Sequence, residues 1–322
     1  MKLSVKDERI IKELDNNSRR SFSEIGKKVG LPKNIVNYRI KKLVDDGVIT
    51  LFCTTVNRAK LGYMYCRLFL KFMGFSEKIK DSLVNSLSKL KNIHFAARLD
   101  GSFDFCVIFL AKTIKEIDEI YDSIIYSLDN HLIDKELSIA SRIYYLPYNY
   151  LYSEKEVRVD EVVNVKGDVK LDEKDYLLIN SIKEDSRKPM IELTSKLGLS
   201  PQMVRVRMKR LFKEGIITGF KIRVNPKKFN LNNFHIFLNL TNMNQVKYKD
   251  LVHFLAGKKS VTQIVKGLGR WDLEFEAVLE SHFELHDLLK ELRNKFPDNI
   301  LKYESTILYE VYPINTVKYS GG

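Results

Sequence analysis

The sequence predicts an α+β fold assembled as a tandem repeat, and three observations carry that reading. Sliding the 322-residue chain by 168 positions lays residues 3–62 on 171–230 with 21 identities in 60 positions and no gap. Each of these segments carries three short stretches of helical apolar spacing, and each is followed by alternating strand and helix patterns. The net charge of +13 is also localised. Residues 1–62 and 171–230 each hold 14 Lys/Arg against 7 Asp/Glu, whereas 63–146 and 231–322 each balance 11 against 11. Solenoid repeats are much shorter than this period, so the repeat describes duplicated domains. The expected layout is a three-helix unit (1–62), a mixed unit (63–146), a charged linker (147–170), and the same pair again (171–230 and 231–322).

In the three-helix unit, Ile10, Ile11 and Leu14 match Leu178, Ile179 and Ile182 as the stripe of a first helix. Ile25 and Val29 match Leu193 and Leu197 on a second. Val36, Ile40 and Leu43 match Val204, Met208 and Leu211 on a third, at i, i+4, i+7. "SFSE" (Ser21 to Glu24) can form a capping box, and Ser200-Pro201 reads as an N-cap followed by an N1 proline. Copy one has Pro32 where copy two has Ser200 and so lacks that cap. Gly47 and Gly215 mark the ends of the third helices.

Only "GLP" or "GLS" separates helices two and three, the tight turn of a helix-turn-helix. After the third helix, "VITLF" and "IITGF" read as the first strand of a small wing. The polar face of the third helix offers Lys33, Asn34, Asn37, Tyr38, Arg39 and Lys41 in copy one. Copy two offers Gln202, Arg205, Arg207, Lys209 and Arg210. Asn, Gln and Arg can pair with base edges, and Lys and Arg reach phosphates. These eleven are the candidate contacts to double-stranded DNA, with Arg39 and Arg207 assigned to phosphate or to bracing the helix. A basic face can instead be merely solvated, but two such faces beside charge-balanced units favour a polyanion partner.

The mixed units read strand–helix–strand–strand–helix–strand, the ferredoxin-like βαββαβ order. Copy one runs from "MYCRLFLKFM" to "KELSIASRIYYL", and copy two from "NFHIFLNLTN" to "ILKYESTILYEVY". The whole is then two winged helix-turn-helix domains alternating with two ferredoxin-like domains.

With these motifs the chain resembles the Lrp/AsnC (feast/famine) family of transcriptional regulators. The resemblance rests on "GLSPQMVRVRMKRLFKEGIITGFKIRVNP" (198–226), "GLPKNIVNYRIKKLVDDGVIT" (30–50), and the turns "GSFD" (101–104) and "GRWD" (269–272), similar to the family's G-x-x-D. It covers nearly everything outside the linker. It implies a DNA-binding regulator, and typical members carry one such pair of domains and dimerise. A chain with both pairs would be a covalent pseudo-dimer. The resemblance further implies a small effector, often an amino acid, near Gly101, Asp104, Gly269 and Asp272. The competing reading is a plain hairpin turn that uses Gly and Asp for positive φ and local hydrogen bonds. A siroheme decarboxylase-like enzyme of the same fold is the alternative; of its histidine- and arginine-bearing segment only Arg67 and His235 stand here.

The two ferredoxin-like sheets are expected to pack on each other within one chain, bringing Arg67 or Lys71 near Glu274 or Glu276; a higher homo-oligomer is also open. No catalytic motif, cofactor loop or metal site is expected. His282 and His286 share a helical face but lack further ligands. Three cysteines without C-x-x-C, no long apolar run and a charged N-terminus point to the cytoplasm.

Overall fold

The computed structural model describes residues 3–153, 155, 156, 158–163, 169–312 and 314–320. In copy one, α1 (Val5–Asn16), α2 (Phe22–Val29) and α3 (Lys33–Asp45) lead into β1 (Ile49–Val56). The mixed unit follows as β2 (Met64–Phe72), α4 (Glu77–Lys89), β3 (Ile93–Gly101), β4 (Phe105–Ala111), α5 (Ile114–Ile125) and β5 (Leu132–Tyr145). A short β6 (Asp160–Val163) precedes copy two. That copy runs α6 (Glu173–Ile182), α7 (Met190–Leu197), α8 (Pro201–Lys213), β7 (Ile217–Val224), β8 (Asn232–Leu240), α9 (Gln245–Ala256), β9 (Val261–Leu268), β10 (Leu273–Leu279), α10 (His282–Lys295) and β11 (Ile300–Tyr312).

The caps expected from sequence form. Ser21 and Glu24 close a capping box on α2, and the Ser200 hydroxyl accepts the Met203 N–H at 3.3 Å on α8. Pro32 caps α3 with no side-chain bond. The wing takes another form. Among the described residues neither unit has a second wing strand of its own; β1 pairs antiparallel with β7 of the other copy, from Ile49↔Val224 to Val56↔Ile217. The edge that a hairpin would cover is thus covered by the duplicate.

The strand pairs interlock the two helical units. Ile222 and Val224 of β7 enter the core of α1–α3, while Val56 of β1 enters that of α6–α8. The Ser18 and Ser186 hydroxyls meet at 2.6 Å, both fully buried. Arg19 donates to the Ser186 carbonyl and Arg187 to that of Ser18. Ser18 meets its own counterpart 168 positions on, and the two arginine contacts are reciprocal, so a pseudo-two-fold axis passes between the copies.

The same axis runs through the mixed units, whose sheets join into one ring. The order β2-β4-β3-β11-β8-β10-β9-β5 closes through β5 back onto β2. The long last strands make the closure. β5 begins against β2 and ends against β9, and β11 begins against β8 and ends against β3. Outside, α4 and α5 cover one half through Leu83, Leu87, Ile117 and Ile124; α9 and α10 cover the other through Leu251, Leu255, Leu285 and Leu288. Inside lie Phe69, Leu99, Phe103, Cys106, Phe237 and Trp271. Counterparts again touch, with Phe69 on Phe237 at 5.0 Å and Phe103 on Trp271 at 5.6 Å between ring centroids.

The facing of the two sheets expected from sequence is present, and Arg67 is the residue that carries it. Its Nη1 lies 2.7 Å from Glu274 Oε2 and its Nη2 lies 2.9 Å from His235 Nε2, its own counterpart. His235 Nε2 is also 3.0 Å from Glu274 Oε2, so the imidazole tautomer decides whether it accepts from the guanidinium or donates to the carboxylate. Ser138 donates to Glu274 Oε1 at 3.0 Å. Burial pushes the Glu274 pKa up, but Arg67, His235 and Ser138 outweigh it and hold the group below its ordinary value. Lys71 instead pairs with Asp104 at 2.8 Å, and Glu276 receives Asn233 at 3.2 Å.

The described residues of the stretch 147–170 pack against both copies. Tyr152 is buried in the α1–α3 core and its hydroxyl donates to Asp15 at 3.0 Å, while β6 pairs with β5. Residues 154, 157 and 164–168 of that stretch lie outside the described residues.

Removing Arg67 strands a buried carboxylate. Arg67→Met is expected to lose about 3 kcal/mol in urea denaturation at neutral pH, and Arg67→Met/Glu274→Leu to recover most of it. The sign with pH follows from the depressed pKa. In the native chain this stabilisation is complete above the ordinary carboxyl value of 4.5 and is lost as pH falls through the lower folded value. Arg67→Met should instead gain stability on acidification, because its unpaired Glu274 is easier to bury protonated.

Candidate nucleic-acid interface

Each recognition helix is held by a first helix of the same unit. Arg39 on α3 reaches Asp7 on α1 at 2.9 Å. Arg207 on α8 reaches Asp175 at 2.8 Å and Asp172 at 2.7 Å, and Arg210 also pairs with Asp175. Asp175 is fully buried and belongs to the capping box that starts α6, so these arginines tie α8 to that helix end. Two lysines serve the scaffold as well. Lys6 donates to the Val29 carbonyl at 2.8 Å and Lys174 to that of Leu197, neutralising the C-terminal ends of α2 and α7. Part of the surplus charge is therefore structural, which net charge alone cannot reveal.

The remaining candidates face outward. Lys33, Asn34, Asn37, Tyr38 and Lys41 on α3 are exposed, as are Gln202, Arg205 and Lys209 on α8. None of these eight side chains has a hydrogen bond or ion pair among the described residues. The opposite faces are packed, with Val36, Ile40 and Leu43 buried on α3 and Val204 and Leu211 on α8. Lys42 and Lys213 flank the same exposed faces and were not singled out from sequence; their position in the helical wheel was the available signal. So were Ile35, Met203 and Val206, exposed apolar side chains among these polar ones.

The two Gly-x-x-Asp turns are built into the ring. Gly101 has φ +134° and Gly269 has φ +153°, both in the region open mainly to glycine. A Cβ at Gly101 would stand 2.7 Å from the Ser305 carbonyl oxygen, and one at Gly269 would stand 2.8 Å from that of Leu137. Each glycine thus lets the other copy's long strand approach. The Asp104 carboxylate accepts the Phe72 N–H at 2.8 Å and pairs with Lys71. Asp272 accepts the Leu240 N–H at 2.7 Å through Oδ2. Trp271 is buried in the ring interior and stacks on Phe237 at 4.1 Å between centroids. Its fluorescence therefore reports the ring interior. Among the described residues no three His, Cys, Asp or Glu side chains gather as metal ligands, and no helix is long and apolar enough to cross a membrane.

This scaffold can present two basic helices in a fixed relation, and comparison with known proteins shows what it is related to. A winged helix-turn-helix DNA-binding family matches residues 3–50 and 171–218, the two three-helix units. The HTH-type transcriptional regulator Ptr1 of Methanocaldococcus jannaschii is 31% identical over 124 residues, 38% of this chain and 82% of that protein. The HTH-type transcriptional regulator LrpA of Pyrococcus horikoshii is 45% identical over 58 residues, 18% of this chain and 41% of that protein. In fold, the crystal structure of the siroheme decarboxylase NirDL follows 98% of this chain and 94% of its own, with a TM-score of 0.64 and 13% identity. That likeness is of architecture alone; it shows the four-domain arrangement in another protein. The chain belongs to the Lrp/AsnC family of winged helix-turn-helix transcriptional regulators and carries the family's unit twice in one polypeptide.

Proposed function

We propose that this DNA-binding regulator reads one asymmetric operator with its two recognition helices, and does so without catalysing a reaction. The supporting observation is the unlike polar faces of α3 and α8 on a shared pseudo-dyad. Asn34, Asn37 and Tyr38 stand where Gln202, Arg205 and Val206 stand in the other copy. Asn pairs best with adenine and Arg with guanine, so the two half-sites differ in sequence. Lys33, Lys41 and Lys209 go to phosphates in this reading, and Arg39, Arg207 and Arg210 set the helix orientation. In the cytoplasm of a prokaryote the chain would act as its own pseudo-dimer.

An amino-acid effector would sit beside the Gly101–Asp104 and Gly269–Asp272 turns. Asp272 is the better holder of an ammonium group, because its Oδ1 has no partner among the described residues, whereas both Asp104 oxygens are engaged.

Binding should be steeply salt-dependent, with affinity falling roughly a thousandfold between about 50 and 200 mM salt for six or so phosphate contacts. Lys209→Ala should weaken binding to all sequences alike and lower the salt slope by about 1, whereas Asn37→Ala should relax selectivity at its own base position. Neither should change the unfolding free energy from urea denaturation by more than about 0.5 kcal/mol. Arg207→Ala should cost about 1.5 kcal/mol of stability, because it removes hydrogen bonds to a buried carboxylate. Fluorescence anisotropy at several salt concentrations, beside denaturation, separates these roles.

A further inference from the structure

Both recognition helices expose apolar side chains in the middle of their polar faces. On α8, Met203 is 50% and Val206 56% exposed; on α3, Ile35 is 36% and Tyr38 65% exposed. Ile35 and Tyr38 are the positional counterparts of Met203 and Val206. At about 100° per residue, Val206 projects between Gln202 and Met203, away from the buried Val204 and Leu211. A lone exposed aliphatic residue needs no explanation. Here two lie three residues apart on a face otherwise made of Gln, Arg and Lys, and the same two positions are apolar or aromatic in both copies.

The Ser200 cap fixes the first turn of α8, and it is the N-terminal part of a recognition helix that reaches base edges. A groove filled only by hydrogen-bonding groups would give an aliphatic side chain nothing to touch. The one apolar group that a base edge displays in the major groove is the C5 methyl of thymine.

We propose that Met203 and Val206 form an apolar subsite on α8 that receives thymine methyls in the copy-two half-site, flanked by Gln202 and Arg205 on neighbouring bases. Ile35 and the Tyr38 ring make the corresponding subsite on α3. The assignment rests on the DNA-binding reading above and deepens it, because it names a base-edge group that the hydrogen-bonding side chains of these helices do not read.

The test starts from a duplex selected from random sequences by the intact chain. Each thymine in the copy-two half is replaced in turn by deoxyuridine, which deletes only the methyl group. At one or two positions affinity should fall roughly fourfold, the effect of one buried methyl-sized group. Val206→Ala or Met203→Ala should bind the thymine and uracil duplexes equally at those positions, with an unchanged urea midpoint. Equal binding of both duplexes by the native chain at every position overturns the subsite, as does discrimination that survives in both variants. If no duplex is recovered at low salt, the DNA-binding reading itself fails and takes the subsite with it.

Discussion

Two unlike copies share one two-fold axis, and the groups lying on that axis must suit each other without being identical. In a symmetric dimer an arginine at this position would face its own image, a like-charge contact at close range. Here Arg67 faces His235, and Glu274 stands 2.7 Å away to take the charge. The position equivalent to Glu274 in copy one is Cys106, a small apolar neighbour. The interior of the ring therefore specifies pairing of one copy with the other. Two copy-two halves would bring Glu274 against Glu274 with no guanidinium between them, an unpaired arrangement that costs several kcal/mol.

Everything that positions α3 and α8 follows from this pairing. Ring closure places β5 and β11 across both seams, and the strands leading in, β1 and β7, pair across the same axis. Each helical unit is then anchored on the other copy through Ser18–Ser186, Thr54 on the Ile182 carbonyl, and the reciprocal Arg19 and Arg187 contacts. The helical units have no independent freedom to rotate without breaking buried hydrogen bonds. One consequence is a fixed separation and orientation of α3 and α8.

Much of this was legible in the residues. The 168-residue repeat, the helix stripes, the Ser21 and Ser200 caps and the order of strands depend on local periodicity and short-range hydrogen bonds, which sequence displays directly. That Arg67 or Lys71 would face Glu274 or Glu276 was legible too, since these charges interrupt apolar strands, but not that Arg67 and Glu274 would be the pair. The cross-copy pairing of β1 with β7 was not, because a lone strand does not encode which edge it will meet. The long last strands read as single strands, and nothing local says that their two halves belong to different sheets. For Arg207 a bracing role was one of two readings, but its partner Asp175, and the pairing of Arg210 with it, were hidden, because these charges lie on polar helix positions and interrupt no apolar pattern.

The internal comparison sorts scaffold from reading surface. Lys6, Asp7, Ser18, Arg19 and Arg39 are identical to Lys174, Asp175, Ser186, Arg187 and Arg207, and the structure gives each of them an intramolecular partner. The exposed positions 34, 35, 37 and 38 all differ from 202, 203, 205 and 206. Duplication has thus kept what holds the helices and varied what they present. The most direct measurement is a nuclease footprint of the intact chain on a selected duplex. The account predicts two protected segments of different sequence on one face, about 10 base pairs or a multiple apart, with binding lost when one segment alone is inverted. Two identical inverted segments bound equally well, or no protection even in dilute salt, would contradict it.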